Sequence, residues 1–164
     1  MIETPHIAET EERTAAVVHL IVPRTELPKV VPTAIAELMK AIAVQGLAPQ
    51  GPMFMHHLTM STEVFDVEVG FPVAKTITPA GRVRPGTLPA AKVARTIYHG
   101  PYEGLHGAWD AFGKRIESDG LVDQSCVERV GTLWESYLVG PATTSDPAQW
   151  RTELNLPLLP KPIR

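Results

Sequence analysis

The sequence predicts an α+β fold built from two β-α-β-β modules, and three observations carry that prediction. Sixteen prolines among 164 residues are about twice the usual share of roughly 5%, and they fall between apolar runs rather than inside one periodic segment, which favours short strands and turns over a helix bundle. The order strand, helix, strand, strand can be read twice along the chain. The closing strands of the two halves also resemble each other: "EVGFPV" (Glu68 to Val73) matches "ELNLPL" (Glu153 to Leu158) at the glutamate, at the proline and in its apolar residues, the mark of an internal duplication.

After a polar leader, Arg13 to Val22 is an apolar, β-branched run and is assigned as a strand. Pro23 to Pro32 leads into a helix over Thr33 to Val44, where Ile35, Leu38, Met39 and Ile42 recur at three- and four-residue steps and Gly46 marks the end. Met53 to Met60 and Phe65 to Val73 follow as a hairpin turning at Ser61 to Glu63. The second half repeats this with a strand over Lys92 to His99, a helix from about Tyr102 to Ser118 closed by Gly120, and strands over Thr132 to Val139 and Trp150 to Leu158. The whole of 1–164 is expected to be one domain with halves 13–73 and 92–158, joined edge to edge about a pseudo-two-fold axis. Helices are expected on one side of the antiparallel sheet and a concave ligand groove on the other.

Composition removes several function classes. A hydrophobic content of 44%, with 20% charged residues, implies a packed core and not disorder. The net charge of -3 offers nucleic acid no electrostatic attraction, and basic residues cluster only at Arg82/Arg84 and from Lys161 to Arg164. Cys126 is alone, and the start "MIETPHIAETEE" lacks the basic and apolar regions of a secretory signal, so a cytoplasmic setting is expected. The longest apolar stretch, "AAVVHLIVP", is too short to span a membrane. Walker A, G-x-S-x-G, H-E-x-x-H and strand-linked G-x-G-x-x-G motifs are absent. His56 and His57 are adjacent and point to opposite faces of a strand, so they cannot chelate together. Neither a metal nor a cofactor is expected.

The informative segment is "TLWESYL", Thr132 to Leu138. Strand alternation sets Leu133, Glu135, Tyr137 and Val139 on one face and Trp134, Ser136 and Leu138 on the other. A carboxylate thus lies in an otherwise apolar row. Leu105, Trp109 and Phe112 form the core stripe of the second helix, Trp134 is assigned to the same core, and Glu135 is therefore expected on the groove side, away from the helices. There it would be partly desolvated and poised to bind a cation, share a proton or act as an acid or base. Tyr102, in the turn "HGPYE", is placed at the groove rim. Met53, Met55 and His57 share one strand parity and are candidates for the opposite wall.

Taken together, "GPMFMHHL", "FDVEVGFPV", "GTLPAAKVARTIYHGPYEGL" and "LWESYLVGP…WRTELNLPL" resemble the GyrI-like small-molecule-binding domain, the effector-binding domain of bacterial transcription activators. The resemblance runs from about Arg13 to Leu158. It implies a central cleft in which Glu135, followed by Tyr137, lies at the bottom of an aromatic groove and contacts cationic or polar aromatic, often multidrug-type, ligands. Family members occur fused to helix-turn-helix domains and also alone, where some bind gyrase and others hydrolyse cyclopropane-containing alkylating toxins. This chain, with no room for a DNA-reading domain, resembles the standalone group. Met55, His56 and His57 depart from the aromatic that relatives often carry there. The expectation is a module that senses or sequesters hydrophobic, often cationic, small molecules, with no nucleic acid or membrane contact. Two alternatives stand beside it: a hydrolase, in which Tyr137 or Tyr102 positions a strained electrophile and Glu135 handles water or a proton, and a gyrase-inhibitor-like protein-binding module.

Overall fold

In a computed structural model, which describes residues 1–59, 63–121, 127–129 and 133–160, the chain forms strands β1 (His6–Thr10) and β2 (Arg13–Pro23), helix α1 (Leu27–Val44), strands β3 (Phe54–Thr59), β4 (Val64–Pro72), β5 (Val83–Leu88) and β6 (Ala91–His99), helix α2 (Leu105–Ser118), and strands β7 (Val127–Arg129), β8 (Trp134–Val139) and β9 (Arg151–Pro160). The expected turn at Ser61, the strand start at Thr132, Cys126 and the basic tail from Lys161 lie outside the described residues. No helix among the described residues is long and apolar enough to cross a membrane.

Two compact units emerge, one of Glu11–Ala90 and one of Met1–Thr10 with Ala91–Arg164; they are called the first and second unit below. In the first, antiparallel strands follow the order β5-β2-β4-β3. In the second the order is β1-β6-β9-β8, with β7 also pairing β9. Each unit therefore contains a β-α-β-β module plus an edge strand beside the module's first strand, and the class is α+β as expected.

The duplication extends to register. In the first unit Phe54, Met55, His56 and His57 lie opposite Gly70, Val69, Glu68 and Val67, and the ladder is irregular between His57 and Thr59. In the second, Trp134, Glu135, Ser136 and Tyr137 lie opposite Asn155, Leu154, Glu153 and Thr152, with the same irregularity between Tyr137 and Val139. Aligning Glu68 with Glu153 pairs Met55 with Glu135, His57 with Tyr137 and Val67 with Thr152.

Three strands are not among the expected elements: β1, β5 and the short β7. The polar leader contains β1, which pairs with β6 from His6↔Arg95 to Thr10↔Ala91. The segment "VRPGTL" is β5; among the described residues it is an edge strand paired with β2, where a proline costs no ladder hydrogen bond on its open side. Helix α1 also begins earlier than expected, because Pro28 falls in the first turn, where no amide partner is required, and Pro32 is carried within the helix. Its buried residues are Leu27, Ala34, Leu38, Ala41 and Ile42, while Met39 points outward. Both helices end ahead of glycines with positive φ, Gly46 and Gly120, as expected from the sequence.

Strand alternation assigns the faces. In the first unit Val18, Leu20, Val67 and Val69 are fully or almost fully buried and share one face, while His19 and Ile21, the latter 63% exposed, share the other. The buried face is the one that α1 covers. In the second unit Ala94, Tyr98, Leu154, Leu156 and Leu158 pack with Ala108, Phe112 and Ile116 of α2. Trp109, Leu105 and Leu133 flank that core.

Candidate functional site

Glu135 and Tyr137 project from β8 on the face that α2 covers, because they pair with Leu154 and Thr152 and Leu154 belongs to the α2 core. This corrects the expectation that Trp134 shares the helix side and Glu135 the open side. Trp134, opposite Asn155, is buried on the other face. Alternation divides a strand into two rows without saying which row a helix will cover, and here the α2 indole decides it. Trp109 is partly buried at the flank of the α2 core, and its Nε1–H requires an acceptor and finds Glu135.

The carboxylate is held from two sides. Trp109 Nε1 donates to Oε1 at 2.7 Å, and the Tyr137 hydroxyl donates to Oε2 at 2.7 Å. Glu135 is 7% exposed, and none of the salt bridges among the described residues includes it. Burial therefore raises its pKa above the usual carboxylate value, and the hydrogen bonds from Trp109 and Tyr137 pull it part of the way back. Burial, followed by the neighbouring carboxylate, pushes the Tyr137 phenol well above its ordinary value. Tyr137 is thus a neutral phenol that donates a hydrogen bond to Glu135.

Aromatic rings extend outward from this pair. Tyr102 meets Tyr137 edge-on at 5.7 Å between centroids and lies 4.8 Å from Trp150 at 32°. Tyr102 is half-buried, and its phenol is raised by desolvation and then by the Glu135 charge. The chain makes room for it at Gly140, where a Cβ would stand 2.7 Å from the Tyr102 hydroxyl. The turn before Tyr102 is fixed separately, by the Tyr98 hydroxyl donating to the Pro101 carbonyl at 2.7 Å. The second unit therefore brings together Glu135, Tyr137 and Tyr102, and adds Trp109 and Trp150.

Met53, Met55 and His57 lie in the other unit. Met53 precedes β3. Met55 and His57 are buried opposite Val69 and Val67, on the face covered by α1, whereas Phe54 and His56 have the other parity. The His57 ring contacts Phe65 at 5.6 Å, and burial lowers its pKa to about 4, helped by the charges of His56 and Arg24. Arg24 in turn lies over the Phe65 ring at 4.8 Å. Among the described residues no cluster of His, Cys, Asp and Glu could hold a metal ion.

Residues 3–159 match the GyrI-like small molecule binding domain, and the chain belongs to that family. Solved structures agree in fold. The C-terminal domain of EcmrR superposes with a TM-score of 0.79 at 24% identity, covering 94% of this chain and 96% of that one. EcmrR in its DNA complex is matched over 96% of this chain with the same score and identity, and there this chain spans only 57% of the relative's length. SAV2435 bound to tetraphenylphosphonium gives a TM-score of 0.61 at 8% identity, with 94% and 93% covered. A structure described as a hydrolase from Listeria innocua gives 0.60 at 13%, with 95% and 92% covered. No curated protein shows significant sequence similarity to the chain.

Proposed function

We propose that the chain binds a hydrophobic cation, such as a lipophilic aromatic phosphonium or ammonium compound, against Glu135, and that it serves in sensing or sequestering such molecules. One observation carries this reading: a buried carboxylate whose two oxygens accept from neutral donors, Trp109 and Tyr137, and which has aromatic rings beside it instead of a cationic side chain. Holding a desolvated carboxylate without a counter-charge is costly, and a bound cation relieves that cost. The faces of Tyr102 and Trp150 add cation-π attraction and apolar area. The SAV2435 complex supports a lipophilic cation as the ligand class for this fold.

Glu135→Gln keeps the size of the side chain, still accepts from Trp109 through its amide oxygen and can donate from its amide nitrogen to the Tyr137 oxygen, and removes the charge. Titration calorimetry with tetraphenylphosphonium should then show a loss of about 1–3 kcal/mol, while affinity for the neutral triphenylphosphine oxide stays near that of the parent. Equal tetraphenylphosphonium affinity in parent and variant would falsify the proposal. The raised carboxyl would also suit proton transfer to a strained electrophile, the hydrolytic alternative. Mass spectrometry of a cyclopropane-containing alkylating toxin incubated with the parent decides that case: ring-opened product lost in Glu135→Gln supports hydrolysis, and unchanged toxin leaves binding alone.

A further inference from the structure

Thr152 is 0% exposed, and its Oγ1 has no hydrogen-bond partner among the described residues. On β9 it lies directly between Tyr137 of β8 and Tyr98 of β6 in the ladder, so its side chain projects on the same face as Glu135 and Tyr137. Both neighbouring phenols are committed elsewhere, Tyr137 to Glu135 and Tyr98 to the Pro101 carbonyl. A buried hydroxyl left without a partner is unfavourable, and natural proteins keep few of them. The fold does not need this one. At the matching position of the first unit the residue is Val67, fully buried and opposite His57 as Thr152 is opposite Tyr137. Valine has the shape of threonine without the hydroxyl, so the scaffold accepts an apolar side chain there.

We infer that the Thr152 hydroxyl is a recognition group of the Glu135 site, reserved for a hydroxyl, amine or carbonyl on the ligand. This rests on the cation-binding reading and adds a specificity to it: Glu135 selects charge, and Thr152 selects ligands that carry a hydrogen-bonding group beside that charge. A purely hydrocarbon cation uses the first feature and not the second.

A matched pair of probes separates the two claims. Tetraphenylphosphonium has no hydrogen-bonding group, and (4-hydroxyphenyl)triphenylphosphonium adds one hydroxyl. The parent should prefer the hydroxylated probe by roughly tenfold, the scale of one buried hydrogen bond. Thr152→Val should abolish that preference while leaving tetraphenylphosphonium affinity unchanged, and Thr152→Ser should retain it. If the parent binds both probes equally, or the valine variant keeps the preference, the role of Thr152 is refuted while cation binding stands. If the parent binds neither probe, both readings fall together. Thermal unfolding without ligand supplies an independent check. A higher melting temperature for Thr152→Val confirms that the hydroxyl is desolvated without a partner, and a lower one shows that it is already satisfied within the fold and overturns the inference.

Discussion

In the first unit Met55 lies opposite Val69 and His57 opposite Val67; in the second Glu135 lies opposite Leu154 and Tyr137 opposite Thr152, and both ladders are irregular at the same step. Backbone and register are shared, yet one half places a thioether, an imidazole and a valine where the other places a carboxylate, a phenol and a hydroxyl. All six lie on the helix-covered face of their own sheet. The comparison separates what the fold requires, which is a buried side chain of moderate size at each place, from what the second half adds, which is a polar set held in apolar surroundings. In the second half Trp109 of α2 supplies the matching donor by reaching Glu135.

The strongest way to break this comparison is to move the acid across. Met55→Glu places a carboxylate on a buried face that has no Trp109 to receive it, and urea unfolding at neutral pH should show a loss of about 3–5 kcal/mol, the cost of an uncompensated buried charge. A loss below about 1 kcal/mol would mean that the two faces are equally tolerant of charge and that the site at Glu135 is not special.

A smaller effect concerns the imidazole. The folded-state pKa of His57 is depressed to about 4 from 6.5, so its contribution to stability is fully present above 6.5 and is lost as pH falls from there through the folded value. His57→Leu should remove about 2–3 kcal/mol of that acid-dependent loss, measured as the difference in unfolding free energy between pH 7 and pH 4. An unchanged slope would show that His57 is already solvated or charged in the folded protein.

The smallest effect is at Glu135 itself without ligand, and it has the opposite sign. Its folded pKa is raised, so the associated stability is fully present below the unfolded carboxyl range and is lost as pH rises through the folded value. Glu135→Gln should therefore match the parent at low pH and exceed it in stability at neutral pH. A variant less stable than the parent at pH 7 would show that the ionised carboxylate is held well enough to need no ligand.

Much of both halves is legible in the sequence because the signals are local. Apolar alternation marks β2, β4, β6 and β9, and Gly46 and Gly120 mark where helices end. The segment around Glu135 stood out because an acid interrupts an apolar row. What could not be read depends on partners distant in sequence. β1 is polar and acquires its structure only from β6, and β5 contains Pro85 and Gly86, which locally signal a turn. The face of Glu135 is not legible locally, because Trp134 and Trp109 both look like core residues. The indole N–H of Trp109, a donor in need of an acceptor, was the available signal that α2 would lie over the acid. Trp150 and Thr152 gave less, since a tryptophan and a threonine at the start of a strand are ordinary strand residues.

The pairing of β1 with β6 also has a consequence for synthesis on the ribosome. Thr10 and Ala91 exchange hydrogen bonds across 81 positions of sequence, and Met1 and Glu3 continue the attachment to His99 and Ile97. At about 5–20 residues per second, β1 waits several seconds for its partner, while the first unit, whose strands all lie within Glu11–Ala90, can close in the meantime. The half that carries the proposed ligand site is thus completed after the first unit, and its sheet is sealed along one edge by a strand made before that unit.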